Sequence, residues 1–294
     1  MSNVSAHSEF GFLEEVYVKP VAHAFVNQSV LHQQWQVHNF LNEPDYATAV
    51  KEFADFESIF HNHGTTVKYF PVDERTTIDS LYCRDASVVT DAGVILCTMG
   101  KPLRKNEPQA CQDQYRTAGL AILGAIESPG TLEGGDVAWL DSRTLAVANA
   151  YRTNGSGIEQ LRAFLKPQGV EVISVDLPHY KGPSDVFHLM SIISPVDKDL
   201  AVVYSPLMPV TFRRLLLDRG FQLVEVPDQE FDSLGCNVLA IAPRKCVIEE
   251  GNPVTIQRLR AAGAEVIPFS GKHIAVPGGG GPTCLTRPVS RRIG

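Results

Sequence analysis

Four short stretches of this 294-residue chain carry side chains that neither a core nor an ordinary turn requires. Near the C-terminus, PGGGGPTCLTRP places Cys284 directly behind four glycines, a proline and a threonine. A glycine tract can be a mere linker, but linkers do not usually end in Pro-Thr-Cys followed by an apolar residue. A cysteine with a histidine and acids elsewhere in the chain is the pattern of nucleophilic catalysis, since the groups need meet only in space. FHLM sets His188 at the start of an apolar run, where a satisfied structural histidine is the plainer alternative. In DSLYCRD, Asp79 and Asp85 would share a face if the segment were extended. A loop held by an Asp–Arg pair competes with that reading. TLEGGDVAWL puts Glu133 and Asp136 around two glycines, which permit unusual backbone angles, and its carboxylates need partners if buried. A plain turn is the competing reading there.

The segments that must position these residues repeat. Helix signals lie in PDYATAVKEFADFESIFHNHG, in 106–124, after a Ser156–Glu159 capping box, from Pro209 to Gly220, and from Asn252-Pro253 to Gly263. In the first, Tyr46, Val50, Phe53, Phe56 and Phe60 form one face, with Lys51, Glu52 and Asp55 opposite. Pro44 suits its first turn and Gly64 its C-terminal cap. Strand-like runs follow (TTVKYFP, GVEVISVDLP, GFQLVEVP and GAEVIPFS), and AIESPG follows the second helix less cleanly. ASVVTDAGVILCT, DVAWLDSRTLAVANA, SIISPVDKDLAVVYS and CNVLAIAPRKCVIEE read as hairpins around polar turns. Five such units, about 45–60 residues apart, form an internal repeat. No unit could bury its apolar faces alone, so the expected fold is α/β, a closed ring of five β/α modules in one domain over 14–294. Residues 1–13 are expected to be a loose tail. A doubly wound parallel sheet fits the hairpins poorly.

Composition removes several classes of function. A formal charge of −7 argues against nucleic acid or an anionic membrane as partner, and leaves a small cationic substrate open. No run approaches the ~18 apolar residues of a membrane helix, and the N-terminus has no signal-peptide pattern. The six cysteines show no CxxC spacing; five lie in apolar or helical runs, which fits a reducing cytoplasm.

In these four stretches, taken in order, the chain resembles the guanidine-modifying enzymes: arginine deiminases, dimethylarginine dimethylaminohydrolases and amidinotransferases. The resemblance runs from about Val16 to Arg287 and rests on DSLYCRD, the EGGD box, the His188-Leu189 pair and GGGPTC. It adds Arg104, nineteen residues after Asp85, and Arg152, nineteen after Glu133. It implies a five-fold pseudosymmetric propeller of ββαβ modules. It implies that Cys284 attacks the guanidinium carbon, that His188 shuttles protons, and that Asp85 and Glu133, aided by Asp136, fix the cation's plane. Arg104 and Arg152 would bind a substrate carboxylate and Asp79 its α-ammonium, with exposed solubilising charges as the alternative for the arginines. No metal or organic cofactor is expected, and family analogy suggests a homodimer.

Within that group, the deiminases carry an aspartate where this sequence has Met190, and an added helical domain with no counterpart here. A thioether accepts N–H bonds poorly but tolerates methyl groups, so the resemblance points to N-methylated arginine, hydrolysed to citrulline and dimethylamine. Arg84 stands where bacterial dimethylarginine hydrolases have an acid, and Asp85 where arginine dihydrolases have asparagine. The alternatives are an arginine deiminase or amidinotransferase. From another class comes a non-catalytic propeller, a fold shared with a ribosome-associated translation initiation factor.

Overall fold

In the computed structural model, which describes residues 3–293, the chain opens with β1 (Asn3–Ser5) and β2 (Phe12–Val18). Two short helices follow, α1 (Val21–Ala24) and α2 (Gln28–Gln34), then the long α3 (Tyr46–His63) and β3 (Thr66–Tyr69). From there one order recurs: an antiparallel strand pair, a helix, and a strand that returns parallel to the second of the pair. The first two instances are β4 (Ser87–Thr90), β5 (Gly93–Leu96), α4 (Glu107–Thr117), β6 (Ile122–Ala125), and β7 (Val137–Asp141), β8 (Thr144–Asn149), α5 (Gly155–Leu165), β9 (Glu171–Asp176). The next two are β10 (Ile193–Asp197), β11 (Leu200–Val203), α6 (Val210–Asp218), β12 (Gln222–Glu225), and β13 (Leu239–Ala242), β14 (Lys245–Glu249), α7 (Pro253–Ala261), β15 (Glu265–Phe269). The result is a mixed α/β fold of several small sheets. All four predicted hairpins are present, because each has a polar turn between two buried runs.

The remaining sheet joins both ends of the chain. β16 (Thr286–Ile293) lies between β1 and β2, antiparallel to each, and β2 continues in parallel to β3. The predicted loose tail is therefore incorrect from Asn3 onward; residues 1–2 fall outside the described region. The segment is held because Ser5 and the Ala6 N–H donate to Asp91 and because Glu9 is buried against Arg84.

Local chemistry sets the helix boundaries. Asp45 caps α3 by accepting from the Thr48 N–H at 2.8 Å, and Gly64 closes it in the left-handed region at φ 83°. Its buried face is Ala49, Phe53, Phe56 and Phe60, and Val50 is exposed, one position off the expected stripe. Glu52, expected outside, is buried because it accepts from Ser270 Oγ at 3.0 Å and the His273 N–H at 2.7 Å. It thereby ties α3 to the loop that leads towards Cys284. Asn154, not Ser156, caps α5, accepting from the Gly157 N–H at 2.9 Å. α4 stops at Thr117, ahead of the expected end near Gly124, and Gly124 lies in β6. Among the described residues no helix is long and apolar enough to cross a membrane.

Candidate active site

Each antiparallel pair is entered through a tight turn, and these turns carry the site. In four of them a backbone N–H reaches back three residues: Asp85 to Tyr82 at 3.5 Å, Asp136 to Glu133 at 3.0 Å, Ser191 to His188 at 3.0 Å, and Asn237 to Leu234 at 2.9 Å. In the fifth, the Leu285 N–H donates to the Gly281 carbonyl at 3.0 Å, one residue past Cys284. Cys284 stands two residues before its strand begins, as Asp85, Ser191 and Asn237 do in their units, and Asp136 stands one before. The stretch DSLYCRD is not extended, since two short 3-10 turns, Ile78–Leu81 and Cys83–Ala86, break it, yet Asp79 and Asp85 still border one cavity.

His188 is buried and donates from Nε2 to Glu133 Oε2 at 2.8 Å, while its Nδ1 lies 3.9 Å from Asp85 Oδ1. Burial opposes its charge, but Asp136, Asp85 and Glu133 outweigh that and raise the imidazole's pKa to about 9. Glu133 is held ionised against its own burial by the same hydrogen bond and charge. Gly135 shows why the box needs glycine: a Cβ there would run into His188 Nδ1 and Asp85 Oδ1. The glycines before Cys284 serve a related purpose, since Gly278 and Gly280 lie flush against the Tyr82 ring and Gly281 against Asn237.

The arginines differ. Arg104 has every nitrogen engaged: Nε and Nη2 on Glu107 at 2.9 and 2.7 Å, Nη1 on Asp85 at 2.5 Å, and Nη2 also on the Tyr82 carbonyl at 2.9 Å. Arg152 gives Nη2 to the Asp185 carbonyl at 3.2 Å and stands 3.6 Å from Glu133, while its buried Nε has no partner among the described residues. Asp79 accepts from His38 Nδ1 at 2.8 Å and from Lys101 Nζ at 2.5 Å. Burial would raise its pKa, but His38, Arg104 and Lys101 bring it down to about 2. Asp136 accepts from Thr153 Oγ1 at 2.7 Å and from the Leu189 N–H at 3.1 Å, which fastens the His188 turn to the EGGD turn. Burial pushes its carboxyl up to about 6.

Cys284 is 6 % exposed and its thiol is raised to about 11, first by burial and then by the Asp85 charge. Asn237 opposes this by donating from Nδ2 to Sγ at 3.4 Å, and its Oδ1 accepts from Thr283 N–H and Oγ1 at 3.0 and 2.8 Å. The sequence reading missed Asn237, Lys101 and His38. Alignment of the five turns would have found Asn237, because it sits at the Cys284 position of its own unit.

Two cavities meet at this point. A narrow chamber is bordered by Asp79, Asp85, Glu133, Lys101, Arg104 and Arg152, together with His188 and Cys284. A cleft of about 460 Å³ opens on the other side of His188 and Cys284, where Met190, Phe187, Phe231 and Asn237 line it. Asp136 and Arg84 border neither. The carboxylates of Asp85 and Glu133 and the His188 imidazole offer ligand atoms within 4.8 Å of one another, a spacing that could also hold a metal ion.

Solved structures of guanidine-processing proteins share this architecture. Citrulline-complexed DDAH from Pseudomonas aeruginosa superposes with a TM-score of 0.75, at 20% identity, over 94% of this chain and 98% of that one. SxtG, an amidinotransferase from Microseira wollei, gives 0.79 at 20% identity over 99% and 98%. The N(G),N(G)-dimethylarginine dimethylaminohydrolase of Streptomyces coelicolor is 26% identical over 226 residues, 76% of this chain and 79% of that protein. The fold is that of the amidinotransferase and dimethylargininase group. Within it, residues 25–291 match the family described as N,N dimethylarginine dimethylhydrolase, eukaryotic, and the chain belongs to that family. It is a hydrolase acting on C–N bonds of amidines.

Proposed function

We propose that the protein hydrolyses N-methylated arginine to citrulline and dimethylamine through a thiouronium on Cys284, with the five sheets as the blades of one catalytic β/α propeller. The observation that carries this is the meeting of three turns at one point: Cys284 and His188 border both cavities, and His188 is hydrogen-bonded to Glu133. Asp85 and Glu133 take the guanidinium N–H groups in charge-assisted bonds and fix its plane. The arriving cation supplies the charge that the buried thiol lacks, so Cys284 releases its proton to solvent as substrate binds.

The thiolate then adds to the guanidinium carbon. Protonated His188 gives its proton to the departing dimethylamine, since a neutral amine leaves and an amide ion does not. Neutral His188 next takes a proton from water, whose oxygen attacks the thiouronium carbon and restores the thiol as citrulline forms. Arg152, with donors to spare, binds the substrate carboxylate. Arg104, fully engaged, positions Asp85, and Asp136 positions the His188 turn. Met190 borders the cleft beside His188 and Cys284 and gives the methyl groups an apolar neighbour.

Incubation with arginine, asymmetric dimethylarginine and guanidinoacetate, followed by identification of the released amine, tests this. Dimethylamine from dimethylarginine is expected. Ammonia from arginine, with dimethylarginine untouched, would replace the proposal with a deiminase. Turnover that requires an added amine would make the protein an amidinotransferase.

A further inference from the structure

Beside Asp85 and along β16 the chain buries more positive charge than its own carboxylates answer. Arg84, Arg287 and Arg291 are 0 %, 6 % and 1 % exposed. Arg84 Nη2 donates to both oxygens of Glu9 at 2.8 and 2.7 Å. Arg287 Nη1 donates to the Ser87 and Arg84 carbonyls at 2.9 and 3.4 Å, and Arg291 Nη1 to the Gly11 and Ala240 carbonyls at 2.7 and 2.8 Å. Among the described residues Glu9 is the one carboxylate paired with any of the three. Guanidinium does not give up its proton in proteins, so the cluster holds three cations against one anion. Four of its nitrogens, Nε and Nη1 of Arg84 and Nε and Nη2 of Arg291, are buried without a partner among the described residues.

The groups also act on one another. Burial, opposed by Glu9 and reinforced by Arg84 and Arg287, lowers Arg291 to about 10. Burial and then Arg84 do the same to Arg287. An unpaired buried cation is among the most costly features a fold can hold, and orphaned donors add to it. We propose that this cluster binds a small inorganic anion, held by the free N–H groups of Arg84 and Arg291. The site is separate from both cavities, none of the three arginines bordering either. It is nevertheless coupled to the reaction centre by connectivity: Arg84 precedes Asp85, its N–H donates to the Cys284 carbonyl at 3.2 Å, and Arg287 and Arg291 lie on the strand that leaves Cys284. A bound anion therefore pins the N-terminal segment, the Asp85 turn and β16 together.

Thermal unfolding of the intact protein at constant ionic strength, with bromide or sulfate replacing gluconate, tests this while holding general screening fixed. The expected result is a Tm that rises and saturates with at least one of the two anions, and a response that disappears in Arg291→Met. Diffraction from crystals containing the stabilising anion should place it within hydrogen-bond reach of Arg84 and Arg291, which decides the matter if the variant fails to fold. A Tm indifferent to both anions, a response that survives Arg291→Met, or density found only elsewhere would overturn the proposal.

Discussion

The narrow chamber and the wide cleft share Cys284, His188, Val186 and Gly278 and differ in the rest of their lining. In the chamber every acid is already matched, Asp85 to Arg104, Glu133 to His188, and Asp79 to Lys101 and His38. Nothing there needs to reorganise to meet a planar cation except the partner exchange itself, which is how preorganised charge lowers a barrier. The cleft has Met190, Phe187 and Phe231 along its walls, with Lys181, Asp185 and Asp232 as its charged lining. On the proposed mechanism, one region supplies the chemistry and the other the room for whichever amine leaves.

If that division is right, changes to the chamber or the shared pair should slow every guanidino substrate alike, and changes to the cleft should alter the ratio between substrates. The largest loss is expected for Cys284→Ala, about 10⁴-fold or more in kcat for all substrates. His188→Gly follows at about 10²–10⁴-fold, because it removes the proton shuttle. Glu133→Gln should cost about 10²–10³-fold in kcat while leaving the dimethylarginine-to-arginine ratio where it was. A changed ratio would break the comparison. Met190→Asp is the converse test: a gain of about 10-fold in kcat/KM for arginine relative to dimethylarginine is expected, at the scale of one charge-assisted hydrogen bond.

The pH profile sharpens the same contrast. With His188 raised to about 9, the imidazole is protonated and able to donate throughout the neutral range, and kcat/KM should fall as pH climbs past about 9. Cys284, raised to about 11, demands the opposite, so its alkylation by neutral iodoacetamide should still be increasing where turnover declines. A cationic haloacetamidine, bringing its own charge, should inactivate at least about 10-fold faster than iodoacetamide at neutral pH. The smallest effect expected is for Asn237→Ala, about 5–10-fold in kcat from the loss of one hydrogen bond to Sγ, with KM nearly unchanged.

The legible and illegible parts of this sequence divide by distance along the chain. Hairpins such as β7–β8 and helix faces such as that of α7 were readable because turn chemistry and apolar periodicity act within a dozen residues. Asp85, Glu133, His188 and Cys284 were legible as candidates by type and as a set only through family resemblance, since nothing in their spacing says they meet. The β2–β16 pairing, with Phe12 opposite Arg292, leaves no local trace. Glu52 looked solvent-facing by helical period and is buried by a loop over two hundred residues away. Asn237 was hidden because CNVLAIA reads as an ordinary strand entrance; only superposing the five turns shows that its position is the one occupied by Cys284.

The insertion of β16 between β1 and β2 has a consequence for biogenesis. During synthesis the four inner units emerge first and can pack on one another, and β2 can pair with β3, but β1 and the other edge of β2 have no neighbour until the residues after Cys284 emerge. Cys284 thus arrives together with the strand that completes the sheet, so on the proposed mechanism a nascent or C-terminally clipped chain displays its acids and its imidazole and is still inert. On the proposed mechanism, competence comes in a single late step, when the two ends find each other.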